Sequence, residues 1–138
     1  MSRVFLGGTC NQSNWRDKLI PLLAIDYFNP VVKDWTPECQ ANELYQRKIC
    51  DWVLYVITPR MIGCYSIAEA VDDSNKRPGN VVFAVLTKEG SVTFDEWAMR
   101  SFNAVADMIA RNGGVCFLST GNDDETLQRI ADFINHGC

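Results

Sequence analysis

The sequence predicts a doubly wound α/β fold: a flavodoxin-like, five-stranded parallel sheet with helices on both faces. Short apolar runs rich in β-branched and aromatic residues alternate with segments whose apolar residues recur at helical spacing. Two of those runs, 52–57 and 81–86, are apolar without interruption, as strands covered on both faces are. The connections are short, which favours a layered α/β arrangement, and 138 residues suit one domain spanning 1–138.

The first strand, Arg3-Val4-Phe5-Leu6, runs into Gly7-Gly8-Thr9, where two glycines allow a tight turn or close approach of a ligand to the backbone. Trp15, Leu19, Leu22 and Leu23 then follow a helical period behind the candidate caps Asn11 and Ser13, and Pro21 should kink or end that helix. Residues 27–32 form the second strand, which Pro30, lacking an N–H, assigns to a sheet edge. Thr36 as cap, Pro37 at the first helical position and Glu38 in the first turn start a helix running to about Ile49. Ala41, Leu44, Tyr45 and Lys48 share one of its faces, and Glu43 has Arg47 four residues on, the spacing of an ordinary surface ion pair.

Residues 52–57 are the central strand, closed by Thr58-Pro59. A loop over 60–65 leads to Ser66-Ile67-Ala68-Glu69, a capping-box signature opening a helix that carries Ile67, Ala70 and Val71 and places Glu69 in its first turn. Polar residues 73–80 turn the chain into the fourth strand, 81–86. Thr93-Phe94-Asp95-Glu96 repeats the capping-box pattern ahead of a long amphipathic helix through Phe102, Val105 and Ile109, ending near Gly113-Gly114. Residues 115–119 are the fifth strand. Asn122 caps a last helix with a Leu127, Ile130, Ala131, Ile134 stripe, followed by Gly137. With strand order 2-1-3-4-5, Gly7-Gly8 and the 58–69 loop face each other at the switch point, where open parallel sheets bind ligands.

Composition narrows the function. A chain 47% hydrophobic and 22% charged, with no apolar run near the ~20 residues of a membrane span, reads as a soluble protein with no membrane partner. Gly7-Gly8 interrupts any signal-peptide pattern after Met1, so a cytoplasmic protein is expected. A net charge of −4 argues against nucleic acid as partner and for a small molecule. Cys10, Cys39, Cys50, Cys64, Cys116 and Cys138 include no C-x-x-C pair and His136 is the one histidine, so reduced, mostly buried thiols are expected and no metal site. Cys10 and Cys64 lack a nearby histidine to serve as base.

The array Phe5-Leu6-Gly7-Gly8, Asn42-Glu43-Leu44, Cys50-Asp51 opening an apolar strand, Pro59 and Ser66-x-x-Glu69 resembles the nucleoside 2-deoxyribosyltransferase family over roughly residues 3–86. The resemblance implies that Glu69 attacks the anomeric carbon of a deoxyribose, expels the base and passes the sugar to a second base or to water. It implies that Glu43, eight residues before Asp51, assists the base, with Asp51 as runner-up. Phe5, Gly7, Gly8, Trp35, Asp51 and Ser66 are then the substrate-binding candidates. Trp35 either stacks on the base or acts as a hydrophobic staple, and Ser66 either bonds a sugar hydroxyl or caps its helix. Ionised by the positive end of its helix, Glu69 would act as a retaining glycosidase's nucleophile does. Glu69 has a structural alternative in the capping box, returning a hydrogen bond to the cap residue's N–H. No metal or cofactor is required, and family members form homo-oligomers.

Three positions depart from the family pattern: Phe5 stands for a tyrosine, Glu43 for an aspartate, and Gly63 or its neighbours for another aspartate. The expected chemistry therefore includes hydrolysis beside transfer, and nucleotides beside nucleosides. The alternative is a catalytically weak module of the same fold that binds or sequesters a nucleotide. A flavodoxin-like redox role has the topology but no flavin-binding loop.

Overall fold

The computed structural model describes residues 2–10, 12–119 and 121–137. Its strands, in chain order, are Arg3–Gly8 (β1), Asp26–Phe28 (β2), Trp52–Ile57 (β3), Val81–Val85 (β4), Lys88–Glu89 (β5), Val92–Thr93 (β6) and Val115–Leu118 (β7). Five of them form one parallel sheet in the order β2-β1-β3-β4-β7, the expected 2-1-3-4-5 winding, while β5 and β6 make a small antiparallel hairpin that periodicity did not reveal. Every residue of β3 is buried, between Leu6 of β1 and Val82 of β4 on either side of Leu54. Uninterrupted apolar sequence is the direct result of that central place.

The helices are Trp15–Leu19 (α1), Pro37–Ile49 (α2), Tyr65–Lys76 (α3), Glu96–Arg111 (α4) and Asp123–His136 (α5). Leu6, Leu54, Val82 and Ala84 pack against Trp15, Leu19, Leu127 and Ile130 on the α1 and α5 side. Val53, Tyr55, Phe83 and Val85 pack against Ala70, Phe102, Ala106 and Ile109 of α3 and α4 on the other. Burial on both faces, with the ladder hydrogen bonds satisfied within the sheet, is what holds the layers together.

Several caps are as the sequence indicates. Thr36 accepts from the Cys39 N–H at 3.1 Å ahead of Pro37, Asn122 accepts from Glu125 at 3.0 Å, and Gly137 adopts the left-handed conformation at φ 65°. Pro21 ends α1, whose continuation Ile20–Leu22 is a 3-10 turn.

Other expectations are corrected. β2 runs from Asp26 and stops at Phe28, ahead of Asn29-Pro30, although it does lie at the sheet edge. The N-cap position of α1 is Asn14, without a side-chain cap, and Ser13 instead donates to Glu89 at 2.8 Å; Asn11 and Cys138 lie outside the described residues. α4 starts two residues later than its capping box suggests: Asp95 accepts from Ala98 at 2.8 Å, a charged cap at the positive helix end, while Thr93 belongs to β6. Leu44 and Tyr45 of α2 are exposed, and α2 buries none of its residues. Of the five described cysteines only Cys50 is buried, Cys10 and Cys64 being exposed. No helix among the described residues is long and apolar enough to cross a membrane.

Candidate active site

The Ser66 capping box does not form. α3 begins at Tyr65 with Cys64 in the cap position and no side-chain cap, so Ser66 is the second helical residue and Ile67 the third. The Ser66 hydroxyl instead donates to the Gly8 carbonyl at 3.4 Å, tying α3 to the end of β1 across the switch point. Glu69 therefore lies in the second turn, past the reach of a capping hydrogen bond and of most of the helix-end charge. Its side chain turns to α2, where Arg47 Nη1 stands 3.4 Å from its Oε2. Glu69 is 8% exposed, and a cavity of about 220 Å³ lined by Arg47, Tyr65, Ala68, Glu69 and Asp72 opens beside it.

Burial raises the Glu69 carboxyl to about 7; Arg47 opposes this, while the charges of Glu43, Asp73 and Asp72 add to it. The expectation that the helix end holds Glu69 ionised is thus overturned, because one turn of separation weakens the dipole while burial acts in full. Glu43, half-buried on α2, is also raised by burial, against the pull of Arg16 and Arg47. Two carboxyls of different exposure consequently share one electrostatic neighbourhood. The Glu43–Arg47 surface pair does not form: Arg47 bridges to Glu69, Asp72 and Asp73 instead.

That arginine, and the groups holding it, were not singled out from the sequence. Arg47 Nε and Nη2 grip Asp73 at 3.0 and 3.1 Å, and Nη2 reaches Asp72 at 3.2 Å. The Tyr55 hydroxyl donates to Asp73 at 2.7 Å and lies 3.1 Å from Arg47 Nε. A usable signal existed, since Glu69 and Asp73 are four residues apart on one face of an apolar-backed helix and need a cation. Assigning Arg47 to Glu43 concealed it.

The remaining candidates divide. Gly8 and Ser66 line a cavity of about 160 Å³ together with Thr9, Cys10 and Gly63. Gly8 is nevertheless demanded by its own backbone: φ is 116°, and a Cβ would sit 2.1 Å from the Val56 carbonyl. Gly7 makes room for the Tyr55 ring, which a Cβ would approach to 2.7 Å. Phe5 is buried, stacked on Phe28 with centroids 5.8 Å apart and tilted to Tyr55 at 6.3 Å. The phenol in this region is that of Tyr55, the register partner of Gly7, not one at position 5. Trp35 is exposed in the loop entering α2. Asp51 lies at the amino end of β3, the far end of the sheet from the loop into α3, and accepts the Arg3 N–H at 2.8 Å.

A larger cavity, about 560 Å³, lies on the other side, between α1, the hairpin and the start of α5. Most of its charges are already engaged: Lys18 with Asp124 at 3.1 Å, Glu89 with Ser13 and the Asn14 N–H at 2.8 Å each, and Asp123 with the Lys88 backbone N–H. The cavity of about 220 Å³ is smaller, but it is the one lined by the buried Glu69 and the arginine that faces it. Among the described residues no cluster of His, Cys, Asp and Glu is arranged to hold a metal ion.

No curated protein and no solved structure matches the chain significantly. A family model, nucleoside 2-deoxyribosyltransferase like, matches residues 1–89. That stretch contains β1 to β5 and each of Arg16, Glu43, Arg47, Tyr55, Glu69 and Asp73. The chain belongs to the nucleoside 2-deoxyribosyltransferase-like family.

Proposed function

We propose that the protein cleaves or transfers the N-glycosidic bond of a (deoxy)nucleoside or nucleotide, with Glu69 as nucleophile and Glu43 as acid and base, and with no metal or cofactor. The observation that carries this reading is a buried glutamate facing a cavity and an arginine, in the electrostatic reach of a second carboxyl. In the first half-reaction the C1′–N bond breaks and its electron pair leaves with the base nitrogen, which takes a proton from Glu43. The C1′–O bond to Glu69 forms as the sugar gains oxocarbenium character. In the second, water or another base attacks C1′, the C1′–O pair returns to the Glu69 carboxylate, and Glu43 accepts the incoming group's proton. Ser66, Gly8 and Trp35 are the proposed contacts to sugar and base.

We also propose a cytoplasmic homo-oligomer. Leu44, Tyr45 and Ile49 of α2, Trp35 before it, Ile62 in the loop ahead of α3 and Tyr65 at its start are exposed apolar groups, and Tyr65 forms one side of the cavity beside Glu69. A second copy covering them would close that side to water. Multi-angle light scattering should give a dimer or larger; a monomer at tens of micromolar would refute it.

The test of activity is base release and base exchange from deoxynucleosides and their monophosphates by the intact protein and by Glu69→Gln and Glu69→Ala. The variants should lose at least 10³-fold in turnover if the carboxylate attacks carbon. Unchanged turnover would remove Glu69 from the chemistry. The burial of Phe5, with the nearby Tyr55 hydroxyl committed to Asp73, favours one other reading: a nucleotide-binding module. Ligand-dependent thermal stabilisation with no product formed would select it.

A further inference from the structure

We propose that Arg47 is the positioning residue for Glu69: a guanidinium fixed by Asp73 and Tyr55 holds the carboxyl beside the cavity with one nitrogen facing its oxygen. This rests on the reading of Glu69 as nucleophile. Three elements meet at Arg47, whose side chain is only 15% exposed. One edge of the fork is occupied by Asp73 through two bonds, with the Tyr55 hydroxyl on Nε and Asp72 on Nη2. Nη2 also lies 3.5 Å from the Glu69 carbonyl, which sets α3 against α2. Nη1 is left to face Glu69 Oε2. A planar fork can satisfy one carboxylate bidentately through two nitrogens and present its third to another, which a lysine cannot do.

The charges around Glu69 explain why such a cation is needed. Glu43 and Arg47 face it from α2, Asp72 and Asp73 from α3, and the Tyr55 phenol from β3. Arg47 is the cation in that set. Without it, burial and three neighbouring carboxyls all favour a protonated, unreactive Glu69. The same guanidinium also favours the second half-reaction, in which the ester bond to C1′ breaks and charge returns to the Glu69 oxygens. Arg47 touches no reacting atom in this scheme and acts through Glu69.

The test compares intact protein with Arg47→Met, Arg47→Lys and Tyr55→Phe by carbon-13 titration of the Glu69 side-chain carboxyl, a measurement that needs no activity. Arg47→Met should move the Glu69 titration up by one pH unit or more, an about tenfold loss of the anion below neutrality. The acid limb of kcat/KM should move with it, and Arg47→Lys should recover part of both. An unmoved Glu69 titration in any folded Arg47 variant would overturn the proposal. If Arg47→Met fails to fold, Arg47→Lys and Tyr55→Phe decide, since either must still shift the titration upward by loosening the fork. A shifted titration in a protein whose Glu69→Gln variant keeps full turnover would leave the clamp standing and remove the catalytic reading.

Discussion

Replacing Glu69 by Gln should make the fold more stable at alkaline pH than the parent, by an amount the structure allows to be worked out. The carboxyl titrates at 4.5 when free and at about 7 in the fold. Between those values the folded state holds a proton that the unfolded chain has released, so stability falls as pH rises through the window and the loss is complete above about 7. The whole shift corresponds to roughly 3 kcal/mol, of which about 2 kcal/mol lies between pH 5.5 and pH 8. Gln has the shape of the protonated side chain and does not titrate. Groups common to both proteins cancel in the difference to first order. Urea unfolding at the two pH values should therefore show the Glu69→Gln variant gaining about 2 kcal/mol on the parent from pH 5.5 to pH 8, or a Tm advantage of roughly 6–8 °C. A difference that stays constant across this range would show that Glu69 is not buried as described. It would refute the electrostatic basis of the site with it.

Glu43→Gln removes one of the charges that raise Glu69, so the Glu69 titration should move down, with kcat/KM falling where a general acid is required; carbon-13 titration and a pH–rate profile check both. Tyr55→Phe leaves Asp73 with one donor fewer and should cost about 1.5–3 kcal/mol in urea unfolding, as loss of a hydrogen bond to a charged group does. Gly8→Ala combines a φ of 116° with a 2.1 Å approach to Val56 and should cost more than about 2 kcal/mol or prevent folding. Thr36→Ala removes the α2 cap and should cost about 1 kcal/mol by the same measurement, with little effect on the Glu69 titration.

The sheet was legible because its rules are local and strong. Continuous apolar runs at 52–57 and 81–86 could be stable only as strands covered on both faces, and those runs are β3 and β4. The edge position read from Pro30 is where β2 lies, although the strand stops at Phe28 before the proline, and Thr36-Pro37 and Asn122 placed two helix starts to the residue. Signals shared by several structures were less dependable. Ser66-x-x-Glu69 and Thr93-x-x-Glu96 both match the capping box, and in neither does the Ser or Thr occupy the cap, because the loop geometry ahead of each helix chose another residue. The hairpin of β5 and β6 is two residues per strand, too short for any periodicity to register.

The sequence by itself determined the main order of strands and helices and the crevice at the strands' carboxyl ends, since apolar periodicity and helix caps are properties of the chain; Glu69 and Glu43 as a pair came from the family resemblance. Only the tertiary structure decided that Glu69 is buried against Arg47 and that burial raises both carboxyls. Arg47, Tyr55 and Asp73 come from α2, β3 and α3, and an ion pair between a helix end and a distant helix leaves no trace in local spacing. The Glu69 pKa depends on the burial and the summed charges of these elements together, and such a sum exists only after the layers have packed.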